Sequence, residues 1–341
     1  MDDHTVTFRF DDPDRRLTGL RLRQEVGIPG DELDFRYDEA ARAWLLRLDR
    51  PGVHRMEYLL ELRHAGGTET VTDPGNPRRA PGAFGDKSVA EFPGYREPGW
   101  LHEPHVAGGD WRERGIWSPA LGADIATWIW SPRTPTSRLL LASDGPEYDR
   151  LAGLGQYAAA MIGTGRVPPF HLALLGPGDR NRWYAANPDY AWALARDVLP
   201  EMHRTLGTAG PAVGMGASLG GLAMLHAHRR HPGAFAGLHL QSGSFFVPEL
   251  DSQESGFSGY RRVTRFVRRV GSAGTWPHPV PTGLTCGTAE ENLHNNRAMA
   301  ATLAAQGYPA TLNEVPDAHN YVGWRDAFDP HLTDLLARVW G

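Results

Sequence analysis

The stretch from Pro211 to Gly221 reads P-A-V-G-M-G-A-S-L-G-G, and it leaves the chain few ways to fold around it. Ala212 to Met215 is small and apolar behind Gly210 and Pro211, which suits a short buried strand. From Leu222 the chain runs L-A-M-L-H-A-H-R-R-H, a helical pattern. Between them Gly216 to Gly220 form a G-x-S-x-G centred on Ser218. On a strand–turn–helix of this kind the serine occupies a strained turn. The flanking glycines let neighbouring backbones pass without a Cβ clash. The hydroxyl then points out of the fold, and the N–H of Leu219 faces the place where an oxyanion would form. With 40 glycines in 341 residues the pattern alone is a common accident, so the strand before and the helix after carry the reading.

What surrounds this turn alternates between strand and helix. Arg138 to Asp144 is a near-continuous apolar run that suits a parallel strand buried on both faces. A helix is expected over Leu151–Ile162, then a strand over His171–Gly176. Helical spacing follows over Pro188–Leu206, and after the serine turn comes a strand over Ala236–Gln241. A short basic helix over Ser258–Val270, a strand over Gly283–Gly287 and a helix over Asn292–Gln306 come next. Thr311–Val315 is the last strand, and Val322–Val339 carries the terminal helix. Gly115–Leu121 and Ile125–Trp130 read as an antiparallel hairpin that opens this part. The alternation predicts an α/β fold with a mostly parallel, doubly wound sheet, spanning residues 108–341. Functional residues are expected at the C-terminal ends of its strands.

Residues 1–107 have another character. Val6–Phe10, Gly19–Arg23, Trp44–Leu48 and Met56–Leu62 are short segments bounded by Pro, Gly and Asp, which predicts an all-β sandwich. No cluster there looks chemical, so a structural or substrate-capping module is the expectation. Thr72 to His105 is rich in proline and glycine and reads as an irregular connection.

Net charge is −5 with a pI near 6.3, which leaves no electrostatic footprint for nucleic acid. The single cysteine, Cys286, excludes an intramolecular disulfide framework. No apolar run approaches transmembrane length, and the N-terminus lacks the basic-then-apolar order of a signal peptide. A cytoplasmic protein without membrane or nucleic-acid partners is the expectation.

On such a sheet the order serine, acid, histidine is the one to look for. Glu290 follows the strand end at Gly287 by three residues, and His319 stands in P-D-A-H-N after the last strand. A serine hydroxyl is a poor nucleophile until a base takes its proton, and a carboxylate fixes the imidazole tautomer. Glu291 and Asp317 compete with Glu290 for that role. The second oxyanion donor belongs on the loop after Asp144. Pro146 has no N–H, so Gly145 or Glu147 supplies it, and Gly145 is preferred. Tyr148, Arg150 and Arg180, on loops after two strand ends, are candidates for binding an anionic substrate, with Arg182 beside them. His226, His228 and His231 lie near the C-terminus of the helix after the turn, where the dipole favours cations, and are not read as metal ligands. The chemistry requires no cofactor.

The serine turn continues into A-F-A-G-L-H-L-Q-S-G-S-F-F. With F-G-D-K-S-V-A-E-F-P-G-Y, S-D-G-P-E-Y, D-R-N-R-W-Y-A-A-N-P and D-A-H-N-Y-V-G-W-R, this resembles the enterochelin (ferric enterobactin) esterase family of the esterase D-like serine hydrolases over nearly the whole chain. Trp183-Tyr184 and Ala318 depart from that family's pattern. The resemblance implies an α/β-hydrolase fold behind an N-terminal β module, with Ser218 as nucleophile, His319 as base and Glu290 as acid. It also implies hydrolysis of the esters of a catecholate siderophore trilactone, with iron as cargo of the substrate. Two rival readings stand beside it. One is an esterase or acyltransferase acting on another ester, and the other is a non-catalytic ligand-binding protein.

Overall fold

Alternation of apolar and polar side chains builds the N-terminal strands into two antiparallel sheets. The computed structural model describes residues 4–104 and 108–341. Its first strands are β1 (Thr5–Asp11), β2 (Gly19–Gln24), β3 (Arg36–Asp38), β4 (Ala43–Asp49), β5 (Arg55–His64), β6 (Gly67–Val71), β7 (Arg79–Ala80) and β8 (Lys87–Glu91). One sheet has the order β1-β4-β3. The other has the order β2-β5-β8-β7, with β6 also paired to β5. Val6 pairs with Leu48 and Phe8 with Leu46 in the first sheet, and Leu20 with Leu62 and Leu22 with Leu60 in the second. All eight are buried in one core, and each large apolar side chain contributes about 1.5–3 kcal/mol by leaving water. Phe8 meets Tyr58 edge-on across the two sheets at 5.0 Å. The sandwich is thus as expected, but the stretch read as an irregular connection supplies two of its strands. β8 is only five residues, shows no alternation, and buries Ser88, Val89 and Ala90 consecutively, so periodicity could not reveal it.

The remaining strands are β9 (Asp110–Ser118), β10 (Ala123–Ser131), β11 (Leu139–Ser143), β12 (His171–Leu175), β13 (Ala212–Ala217), β14 (Phe235–Gln241), β15 (Thr282–Gly287) and β16 (Ala310–Val315). They form one sheet with the order β16-β15-β14-β13-β11-β12-β10-β9. The pairs from β12 through β11, β13 and β14 to β15 are parallel, and β10 is antiparallel to both β12 and β9. Every residue of β11, β12, β13 and β15 is buried, the condition their apolar runs require. β11 lies between β12 and β13, so the chain leaves it to one side and returns on the other. The crevice at such a reversal is where open α/β sheets hold ligands.

Among the described residues there are ten α-helices: α1 (Gly145–Ala152), α2 (Leu154–Gly163), α3 (Arg180–Tyr184), α4 (Pro188–Ala193), α5 (Leu199–Leu206), α6 (Leu219–Arg230), α7 (Tyr260–Gly271), α8 (Leu293–Ala305), α9 (Tyr321–Asp326) and α10 (Thr333–Trp340). The helix expected over Leu151–Ile162 instead begins at Gly145 and is broken at Gly153, whose φ is 64°. The terminal helix is also broken. Asp329 precedes Pro330, a proline disfavours helical backbone in the residue before it, and Asp329 has ψ 120°. α3 was not expected, and Asp179 caps it by accepting from the Arg182 N–H. Among the described residues no helix is long and apolar enough to cross a membrane.

Contacts divide the chain into two compact units. The first holds the described residues of Met1–Arg96 together with Gly287–Glu291 and Val315–Gly323, and the second holds Glu97–Cys286, Asn292–Glu314 and Trp324–Gly341. The boundary expected at 107 falls on residues 105–107, which lie outside the described residues.

Candidate active site

Ser218 is the single residue between β13 and α6, and its backbone has φ 55° and ψ −125°. That region costs a residue with a Cβ about 1–3 kcal/mol, so the surroundings must hold it there. Three hydrogen bonds do so. The Ser218 N–H donates to the Gln241 carbonyl at 2.9 Å, and the Ser218 carbonyl accepts from Leu222 N at 3.2 Å and Ser244 N at 3.1 Å. The side chain is partly exposed, and its Oγ lies 3.1 Å from the Ser244 Oγ. Gly216 permits the turn: a Cβ there would come within 2.4 Å of the Gly220 carbonyl carbon. Gly216→Ala should therefore push the turn open, lower stability by about 1–3 kcal/mol and cut esterase kcat about 100-fold. Urea unfolding and steady-state kinetics measure the two effects; an alanine variant with unchanged kcat would contradict this geometry.

The two expected oxyanion donors occupy equivalent places. Leu219 is the first residue of α6 and Gly145 the first of α1, where an N–H has no acceptor within its own helix. Their loops touch, since a Cβ on Gly220 would lie 3.1 Å from the Ser143 Cβ and 3.5 Å from the Asp144 Oδ2. Gly145 admits no side chain at all, because a Cβ would be 2.3 Å from the Leu174 Cα. Asp144, before it, is left-handed at φ 51° and donates its N–H to the Tyr184 Oη at 3.1 Å. Burial raises the Tyr184 phenol well above its usual range, so it stays protonated.

Glu290 and His319 meet directly. The His319 Nδ1 is 2.7 Å from the Glu290 Oε2, while the Glu290 Oε1 accepts from Gly287 N at 2.7 Å. Glu290 is buried and His319 is half-buried. Asp317, a rival acid, has its Oδ1 on Ala318 N at 2.7 Å and on Asn320 Nδ2 at 2.9 Å, and its Oδ2 faces Arg55. Glu291, the other rival, is exposed. Ser218 belongs to the second unit, and Glu290 and His319 belong to the first.

The residues expected to bind substrate divide. Arg150 is exposed on the last turn of α1. Arg180 instead holds the buried Asp144 carboxylate through Nε at 2.9 Å and Nη2 at 2.8 Å. Tyr148 is a correction to the expectation. It is fully buried beside Trp324 and Phe328, and its hydroxyl donates to the Gln241 Oε1 at 3.0 Å. Tyr148→Phe should cost about 1–3 kcal/mol by stranding that oxygen, while KM stays within about twofold. A tenfold rise in KM would put the tyrosine on the substrate instead.

Gln241 and Ser244 were missed as individual residues. Gln241 accepts from Tyr148 and donates to the Thr285 Oγ1 at 3.2 Å and the Trp324 carbonyl at 3.1 Å, so it ties β14 to its neighbours directly beneath the serine turn. The signal was present in Q-S-G-S-F-F, but nothing in that string says which atoms face Ser218. Among the described residues no group of three or more His, Cys, Asp or Glu is placed to hold a metal.

The family model for putative esterases matches residues 118–335. No curated protein matches the chain. Among solved structures, enterochelin esterase from Shigella flexneri is similar with a TM-score of 0.79 at 19% identity, over 100% of this chain and 95% of that one. Ferric enterobactin esterase from Salmonella typhimurium gives 0.79 at 19%, over 98% and 93%. S-formylglutathione hydrolase from Staphylococcus aureus gives 0.50 at 16%, over 68% and 98%. At these identities the structural likeness is one of fold, and the family match covers well over half of the sequence. The chain belongs to the putative esterase family.

Proposed function

We propose that this protein is a serine esterase that hydrolyses the ester bonds of a catecholate siderophore trilactone in the cytoplasm and so releases its iron. The observation that carries the reading is the strained Ser218 between β13 and α6, at φ 55° and ψ −125°. The 2.7 Å bond between His319 and Glu290, which both stand later in the chain, supports reading His319 as the base for that serine. The full-length fold match to the enterobactin esterases, one of them crystallised in the presence of enterobactin, supports the substrate class.

In this reading the Ser218 Oγ attacks an ester carbonyl while His319 takes its proton. The carbonyl oxygen becomes an oxyanion facing the N–H groups of Leu219 and Gly145. Glu290 holds the imidazole in the tautomer that accepts at Nε2, and stabilises the cation that forms. Collapse breaks the C–O bond, and His319 returns the proton to the departing seryl hydroxyl. Water, deprotonated by the same histidine, then attacks the acyl-enzyme; the bond to the Ser218 Oγ breaks, the histidine returns the proton to that oxygen, and the acid leaves. Arg150 meets the negative charge of the catecholate complex. Iron travels with the substrate and takes no part in the bond changes.

The test is mass spectrometry of products after incubation with ferric and iron-free catecholate trilactones, beside fluorophosphonate labelling mapped to its peptide. Linear dimer and monomer products and a label on Ser218 are expected. A product carrying an added alcohol acceptor would mark an acyltransferase, and a protein that takes no label would be a binding protein.

A further inference from the structure

The segments that carry Glu290 and His319 fold with the N-terminal sandwich, in the same compact unit. Their anchor is a charge that has no business in a β core. Arg55, the first residue of β5, is 2% exposed. Its Nη2 donates to the Glu57 Oε1 at 2.9 Å. Its Nη1 donates to the Asn320 Oδ1 at 3.0 Å and faces the Asp317 Oδ2 at 3.3 Å. Asp317 and Asn320 bracket His319, and they are bonded to each other through the Asn320 Nδ2 at 2.9 Å. The Asn320 Oδ1 also accepts from Gly323 N at 2.8 Å. One residue before Arg55, the His54 N–H donates to the Pro316 carbonyl at 2.7 Å.

The same loop reaches the acid. The Asp317 carbonyl accepts from Ala289 N at 3.2 Å, beside Glu290, and a Cβ on Gly287 would fall 2.4 Å from that carbonyl oxygen. Ala318 is buried in the sandwich core with Phe8 and Tyr58. A shift of the loop therefore moves His319 and disturbs its 2.7 Å bond to Glu290 together.

Stability alone does not account for this arrangement. A buried arginine with two buried carboxylates is expensive to desolvate, and an apolar cluster of the same volume is often as stable or more so. What a guanidinium adds is a planar fork that addresses two partners at a fixed angle, here a strand carboxylate through one nitrogen and the histidine loop through the other.

We propose that Arg55 is a positioning residue for the reaction: through Asp317 and Asn320 it sets the loop that carries His319, which makes the N-terminal sandwich a part of the catalytic apparatus. The inference rests on the reading of His319 as the base. Asp317, a candidate acid by sequence, takes the role of linking arginine to loop.

The test uses the full chain, with p-nitrophenyl butyrate as substrate. Arg55→Lys keeps the charge and removes the fork. Asn320→Ala leaves every buried charge paired, and serves where Arg55→Lys folds poorly. Each variant, at a temperature where circular dichroism shows it fully folded, should lose about 10–100-fold in kcat with KM within about twofold. The downfield proton resonance of the His319 Nδ1–H, identified by its absence in His319→Ala, should shift or broaden in both. Folded variants with wild-type kcat and an unmoved resonance would overturn the proposal, because a merely structural arginine changes only stability. If His319→Ala itself kept full activity, the base assignment would fail and this inference with it. An inactive His319→Ala beside fully active Arg55→Lys and Asn320→Ala would sink the positioning role alone.

Discussion

Ser218→Ala should lower kcat for ester hydrolysis by about 10⁴-fold or more and abolish fluorophosphonate labelling, with the unfolding midpoint unchanged or raised. The chemical reason is that the variant has no oxygen to acylate, so only solvent attack assisted by the oxyanion donors remains. The physical reason for retained stability is that Ser218 contributes little burial and sits at φ 55°, a strain that alanine shares and does not worsen. His319→Ala should lose nearly as much, because a neutral hydroxyl is a weak nucleophile without its base. Glu290→Gln should lose less than either, since it leaves an imidazole in place but removes the charge that fixes its tautomer. The decisive measurement is the double variant. If Ser218 and His319 act on one proton, Ser218→Ala with His319→Ala is no slower than Ser218→Ala alone. Losses that multiply would show that the two residues act independently, and the proposed mechanism would be wrong.

Acid should destabilise this protein early, between pH 7 and pH 5. His226, His228 and His239 are all buried, and loss of hydration lowers their folded-state pKa values to about 3, about 4 and about 3. Arg230 and Arg269 add to the shift at His226, Arg229 at His228 and His331 at His239. In the unfolded chain each takes a proton near pH 6.5. Between the two values the unfolded state binds more protons than the native state, so stability falls as pH falls. From pH 7 to pH 5 the loss is about 2 kcal/mol for each histidine and about 6 kcal/mol for the three, a large part of a typical domain's 5–15 kcal/mol. Urea midpoints at pH 7 and pH 5 measure it directly, and equal midpoints would refute the account. Neither ring nitrogen of His239 has a hydrogen-bond partner among the described residues, so His239→Leu should remove about a third of the acid sensitivity.

The expected strands and helices of the C-terminal sheet were legible because their causes are local. Four-residue apolar runs mark β11 and β12, the latter stopping at Gly176, the short Leu284–Cys286 stretch before Gly287 marks β15, and the glycine spacing at 216 and 220 marks the serine turn. What failed was also physical. β7 and β8 gain their strand character from pairing with each other and with β5, which no local pattern encodes. The terminal helix was read as continuous because the periodicity of its apolar residues survives the break at Asp329. Tyr148, expected on a loop after a strand end, sits instead one turn into α1. The direction of its ring depends on Gln241, Trp324 and Phe328, none of them nearby in sequence.

By itself the sequence determined the class of fold, the order serine, carboxylate, histidine along the chain, and the turn on which Ser218 stands, because periodicity and glycine spacing act within a few residues of themselves. The tertiary structure decided which of three carboxylates meets His319, that Arg180 serves Asp144, and that an arginine 262 residues before Asp317 reaches the histidine loop. Those outcomes depend on hydrogen bonds and buried charges that must find partners somewhere, and only the folded chain settles where.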